Sequence, residues 1–294
     1  MKHIRFDWAI KKMLRDKANH VILEGFISEL LEQSIQIESI LESERNPLRE
    51  ENKFNRVDIL ARSTAGKLLL IEVQNNTEQD YFHRMLYGAS TLISEYLNRG
   101  EPYQNIKKVY SINIVYFALG RGQDYIYQGR QEFRGWHLDD RLELSSTQKE
   151  LFNLQEIYEI FPEYYLLKVN NFDDKTKDRI DEWIYFLKNS EIKDEFSAQG
   201  LAEAKERLRE EYLSVEERAT YRRYLKDKQY ENSIISTAKA EAELMGWKRG
   251  KQEGEQEGKQ EEKQSIAKAM KKAGSPIEFI AQVTGLSLDD VEAL

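Results

Sequence analysis

The sequence predicts an α/β protein in which a mixed sheet is flanked by helices and followed by a mostly α-helical C-terminal half. Three observations carry that expectation. Residues 55–76, NRVDILARSTAGKLLLIEVQNN, read as two strands folded back on each other. Apolar residues at helical spacing bracket this stretch, and a strand rich in Val, Ile and Tyr lies beyond, which is the helix and strand alternation of an α/β sheet. From about Asp173 the composition shifts to charged helix. The expected divisions are residues 1–172 for the sheet domain, 173–232 for a charged helical region, 233–262 for a glycine-repeat helix or linker, and 263–294 for a short helical tail that serves oligomerisation or docking.

In chain order, Phe6, Ile10, Met13 and Leu14 set the first helix. Val21, Leu23, Phe26, Ile27, Leu30 and Leu31 set a second after Asn19. Asp7 and Lys11 stand four apart on the first helix, the spacing of a surface ion pair. A short strand is expected over 34–40, broken by Arg45-Asn46-Pro47. After the hairpin, residues 80–98 place Phe82, Met85, Leu86, Ala89, Leu92, Ile93, Tyr96 and Leu97 in one broad stripe, with Gly100 as its C-terminal cap. Arg84 and Tyr87 share a side of that helix near the end of the preceding strand. Residues 107–119 read as an interior strand and 125–133 as another. The stretch 145–172 contains a strand-like YYLLKV whose place in the order the sequence does not give.

Farther on, Trp183, Ile184, Leu187, Leu201, Leu208, Tyr212, Tyr221, Tyr224 and Leu225 recur at helical intervals among Glu, Lys and Arg. Arg218, Arg222, Arg223, Lys226 and Lys228 form a basic cluster, but Glu216, Glu217 and Asp227 interleave with it and favour a solvated face. Gly246, Gly250, Gly254 and Gly258 recur every fourth residue, either as a stripe that lets two helices approach closely or as a flexible linker. The tail is expected to hold two short helices: Pro276 opens one after a Ser275 cap and Gly285 closes it, and Ser287 with Asp290 caps the next. Their spacing imitates a helix-turn-helix. The second helix is too short and too acidic, with Asp289, Asp290 and Glu292, to read DNA.

The hairpin carries charge where burial is expected. In its second strand Leu69, Ile71 and Val73 face one way, and Leu68, Leu70, Glu72 and Gln74 the other. A three-residue loop, Thr64-Ala65-Gly66, with Gly66 in the left-handed position, pairs Ser63 with Lys67, Leu60 with Leu70 and Asp58 with Glu72. Two carboxylates then lie side by side, about 5 Å apart at their Cβ atoms. That is unfavourable without a compensating cation, and a divalent metal is the obvious one. The bland alternative is an exposed polar hairpin edge, which the flanking LLLI run disfavours.

Asp, hairpin, then Glu-x-Gln resembles the core of the PD-(D/E)XK nucleases, with their restriction-endonuclease-like fold. More narrowly it is similar to the Rpn family of recombination-promoting nucleases and putative transposases, in which Gln stands where the superfamily usually has Lys. The opening FDWAIKKML, the helix YFHRMLYGASTLISEYLNRGEPY, the strand KKVYSINIVYFAL and the glycine repeat extend the likeness in the same order. The resemblance implies a Mg²⁺-dependent endodeoxyribonuclease with a role in recombination, mobile elements or defence. It implies Asp58, Glu72 and the Val73 carbonyl as metal ligands and Gln74 as a catalytic residue that brings hydrogen-bond donors but no charge. Asp7, Arg84 and Tyr87 are accessory candidates: Asp7 near the metal, Arg84 on a phosphate or on the carboxylates, Tyr87 supporting it. For Arg84 and Tyr87 a plain helix-to-sheet contact is the competing account.

Composition limits the rest. With 44 basic against 52 acidic residues and a net charge of −8, generic polycation binding to DNA is not expected, so nucleic acid must meet a local groove. The absence of cysteine excludes a disulfide framework and thiolate metal sites. No membrane-spanning run or signal peptide is read, and a cytoplasmic homo-oligomer joined through the C-terminal region is expected. His3, His20, His83 and His137 show no metal spacing. The rival to the enzyme is a catalytically inactive nuclease-like protein that binds DNA or assembles through its helical half.

Overall fold

The computed structural model describes residues 3–14, 16–41 and 58–294, and the Arg45-Asn46-Pro47 break and the first residues of the hairpin stretch lie outside them. The helices α1 (Phe6–Lys12) and α2 (His20–Leu31) precede β1 (Ile37–Leu41), β2 (Ile59–Ser63) and β3 (Leu68–Gln74). Next come α3 (Tyr81–Tyr96), β4 (Val109–Val115), β5 (Ile126–Gly129), α4 (Ser146–Phe152) and β6 (Glu163–Lys168). The remainder is helical: α5 (Arg179–Asn189), α6 (Leu201–Arg207), α7 (Val215–Lys272), α8 (Ile277–Thr284) and α9 (Leu288–Ala293). The chain divides into two compact units, residues 1–218 and 219–294.

In the first unit six strands form one mixed sheet in the order β1-β2-β3-β4-β6-β5. Of the four inner strands, β3, β4 and β6 run parallel to one another, and the other pairings are antiparallel. Strands β3 and β4 are covered on both faces, which is why LLLI is apolar without alternation and every residue of Val109–Val115 is buried, the polar Ser111 and Asn113 included. YYLLKV is β6, inserted between β4 and β5; a long-range pairing of this kind leaves no local signal. On one face α3 buries Ala89 and Leu92 against Leu60, Leu68, Leu70 and Val109. Fully burying one such leucine contributes about 1.5–3 kcal/mol.

A second cluster joins Tyr81 and Met85 of α3 to Val115, Phe117, Leu119 and Leu166. Tyr81, not Phe82, is therefore the inward aromatic of α3, and Phe82 and Leu86 are exposed. The helix also stops at Tyr96, with Leu97 extended, so Gly100 does not cap it. Gly100 takes its positive φ of 92° inside the turn closed by Glu101 N–H to the Asn98 carbonyl.

Helices α1, α2 and α5 share an aromatic cluster. Phe6 meets Phe26 at 5.6 Å, and Trp183 meets Phe26 at 5.4 Å and Phe186 at 6.0 Å between ring centroids. In α2 it is Ile22, not Val21, that is fully buried. Gly25 lies so close to the turn before α6 that a Cβ there would stand 2.2 Å from the Gln199 carbonyl oxygen, which itself accepts Trp183 Nε1–H. These contacts tie α5 and the turn before α6 to α1 and α2, and the compact units divide at residue 218, beyond the change of composition near 173.

In the second unit most of α7 is exposed, including Ile234, Ile235, Leu244, Met245 and Trp247. The helix runs unbroken through Gly246, Gly250, Gly254 and Gly258, and a methyl at any of these four would meet nothing within 4 Å. Near its end Ala267 packs with Ile280, Leu286 and Val291. Gly285 ends α8 in the left-handed conformation, and Ser287 with Asp290 forms the capping box of α9. Pro276, rather than Ser275, occupies the N-cap position of α8. Among the described residues no helix is long and apolar enough to cross a membrane.

Candidate active site

The β2–β3 turn fixes the site. Gly66 adopts φ 73° and donates to the Ser63 carbonyl at 2.8 Å, while Ser63 N–H reaches the Lys67 carbonyl at 2.9 Å. This three-residue loop sets Leu60 opposite Leu70 and Ile59 opposite Ile71. The paired register ends at Ile59 and Ile71, and Asp58, the residue just before β2, lies at the same end of the hairpin as Glu72, near enough for its charge to act on Glu72. Asp58 Oδ2 also accepts the Val73 N–H at 2.7 Å, which holds its carboxylate over the end of β3.

Each carboxylate has a cation. Lys11 Nζ, from the last turn of α1, lies 3.3 Å from Asp58, and Arg84 Nε, from α3, lies 3.1 Å from Glu72. Arg84 is shared, because its Nη1 donates to both oxygens of Glu78 at 3.0 and 3.2 Å. Gln74 donates its side-chain amide to the same Glu78. These cations do not balance the site. Burial pushes the Asp58 carboxyl above the usual range despite Lys11 and the Val73 N–H. Burial likewise raises Glu72, opposed by Arg84 and reinforced by the negative charge of Asp58.

The accessory candidates separate. Arg84 does meet the carboxylate cluster. Its support is Tyr81, whose ring centroid is 6.0 Å from the guanidinium carbon and whose hydroxyl donates to Asn113 on β4 at 3.3 Å. Tyr87 is 48 % exposed and makes no hydrogen bond or ring contact among the described residues. Asp7 is buried in the first turn of α1, held by Arg5 at 3.0 Å and by the Trp8 N–H at 2.9 Å. Lys11 turns to Asp58 rather than serving as the helical partner of Asp7. Glu78 and Lys11 were missed as members of the site. Glu78 falls between the strand and Arg84, and an acidic residue so close to both was the available signal.

The N–H and C=O of one strand residue point to the same edge. With its N–H on Asp58, Val73 directs its carbonyl toward that side as well. Asp58, Glu72 and this carbonyl make a sparse, all-oxygen donor set, and among the described residues no group of three or more His, Asp and Glu side chains is arranged for a metal. Such a set fits Mg²⁺, which takes one or two carboxylates and keeps several waters.

Comparison with curated proteins and with solved structures finds no match. Residues 4–238 match the family described as PD-(D/E)XK nuclease family transposase. This span takes in α1, the whole sheet and the carboxylate pair, and on that match the chain belongs to the PD-(D/E)XK nuclease family transposases, a family of nuclease or transposase type.

Proposed function

We propose that the protein is a divalent-metal-dependent DNA endonuclease of the Rpn type, acting in recombination, mobile elements or defence. The observation that supports this most is the Asp58 and Glu72 pair. Two desolvated carboxylates lie at one end of the β2–β3 hairpin, the charge of Asp58 acting on Glu72, and both stay above the ordinary carboxylate range beside Lys11 and Arg84. Mg²⁺ held by Asp58, Glu72 and the Val73 carbonyl would supply an activated water and charge neutralisation on the phosphate. Arg84 keeps Glu72 oriented, and Gln74, fixed by Glu78, presents an amide rather than a charge beside it. Asp58 is positioned by the Val73 N–H, so little reorganisation accompanies metal binding.

Supercoiled plasmid incubated with the protein in Mg²⁺ should be nicked or linearised, and EDTA should stop the reaction. Uncut plasmid across divalent ions, with a folded protein, would instead establish the inactive DNA-binding or assembly protein. We also propose self-association through the second unit, because α7 leaves Ile234, Ile235, Leu244 and Met245 exposed among the described residues. Light scattering should give more than a monomer mass for the full chain and a lower mass for Ile235→Lys/Met245→Lys. A monomeric wild type would remove this second reading.

A further inference from the structure

The endonuclease reading leaves open which group meets the substrate phosphate before any metal does. Two cations touch the carboxylate pair, and they differ. Arg84 is committed: Nε goes to Glu72 and Nη1 to Glu78, and its side chain is three-quarters covered. The Lys11 side chain is 47 % exposed and, among the described residues, makes one ion pair, with Asp58 Oδ1. An ammonium has three donors, so two N–H groups of Lys11 remain for an incoming acceptor. Its position is nonetheless fixed, because Phe6, Ala9 and Ile10 of the same short helix are buried in the core.

Gln74, the residue on β3 that shares a face with Glu72, cannot provide this charge. It is neutral, and one N–H of its amide goes to Glu78. A phosphodiester approaching two carboxylates is repelled unless a cation lies on its path. We propose that Lys11 is the phosphate-contacting residue of this site: its ammonium, held at Asp58 from α1, binds the nonbridging oxygens of the phosphodiester beside the carboxylate pair. This rests on the nucleic-acid reading of the site. The ligand class is a phosphodiester anion in a DNA backbone, and the contact is electrostatic, so it carries no sequence preference.

The test is binding of a short fluorescent DNA duplex in EDTA, titrated across salt, so that no cleavage is needed. Lys11→Ala should weaken binding roughly ten-fold near 0.1 M salt and lower the salt slope by about one, the signature of one lost phosphate contact. Lys11→Arg should retain most of the affinity. The same comparison in an Asp58→Asn background separates contact from shielding. If Lys11 touches phosphate, its removal still weakens binding there and still lowers the slope. Equal affinity and slope for Asp58→Asn with and without Lys11 would overturn the proposal and leave Lys11 as a counter-ion of Asp58. A wild type that binds the duplex and never cuts it would end the endonuclease reading while the Lys11 contact stands. One that does not bind DNA at all overturns both.

Discussion

The sheet buries two glutamates to nearly the same depth, Glu72 at 4 % exposure and Glu163 at 2 %, and surrounds them in opposite ways. Glu163 opens β6. Its Oε1 accepts from Tyr165 OH at 2.7 Å, Gln128 Nε2 at 2.7 Å and Arg130 Nε at 2.8 Å, and Lys108 Nζ lies 3.2 Å from Oε2. Burial pushes its carboxyl up, but these hydrogen bonds and charges outweigh burial and hold it below the usual value. Glu72 has one cation, shared with Glu78, and a second carboxylate at the same end of the hairpin, and it titrates above the usual value. Nearly equal burial thus leaves one carboxylate below its usual range and the other above it, because the hydrogen bonds and charges around the two differ.

The largest expected effect separates the two by activity. Glu72→Gln keeps side-chain shape and removes a proposed metal ligand, so Mg²⁺-dependent plasmid cleavage should fall by at least about 100-fold, more than a residue beyond the ligands typically costs. Cleavage at the wild-type rate, with contaminating nuclease excluded, would place Glu72 beside Glu163 as a structural group. Stability should order them the other way. Glu163→Gln removes the charge facing Lys108 and Arg130, leaving Lys108 on the Tyr158 and Phe161 carbonyls, and should cost about 1.5–3 kcal/mol in chemical denaturation, whereas the melting temperature of metal-free Glu72→Gln should not fall. A Glu163→Gln protein as stable as wild type would show that its network is not what stabilises the N-terminal end of β6.

Their pH trends should also oppose. Glu72 is raised in the folded state, so its ionisation works against folding, and the metal-free protein gains from this group as pH falls through the folded value. Glu163 is lowered, so it stabilises above the ordinary carboxylate range and loses that contribution as pH falls. Melting temperature relative to wild type should therefore climb with pH for Glu72→Gln and decline for Glu163→Gln. Parallel trends would contradict the contrast. The smallest effect lies on α3. Tyr81→Phe removes the hydrogen bond to Asn113 and should cost about 1 kcal/mol. Tyr87→Ala, at an exposed position, should change stability by less than about 0.5 kcal/mol and leave cleavage unaltered.

The sequence by itself determined the hairpin register from Leu60 opposite Leu70 to Ile59 opposite Ile71. Loop length and the left-handed glycine at position 66 are local properties, and a strand alternates faces whatever surrounds it. The capping of the last two helices was legible for the same reason, apart from a shift of one residue at Pro276. Tertiary structure alone decided which side of α3 turns inward, because Tyr81 and Phe82 are both aromatic and only the position of Asn113 and Phe117 distinguishes them. It decided the place of β6 between β4 and β5, a pairing across many intervening residues. It also decided the partners of Lys11 and Glu78. Helical spacing offers Lys11 to Asp7, but Arg5 already holds Asp7, and the packing of α1 brings Lys11 to Asp58 instead. Long charged side chains choose among partners by distance in the folded chain, and that distance is set by the core on which their helices rest.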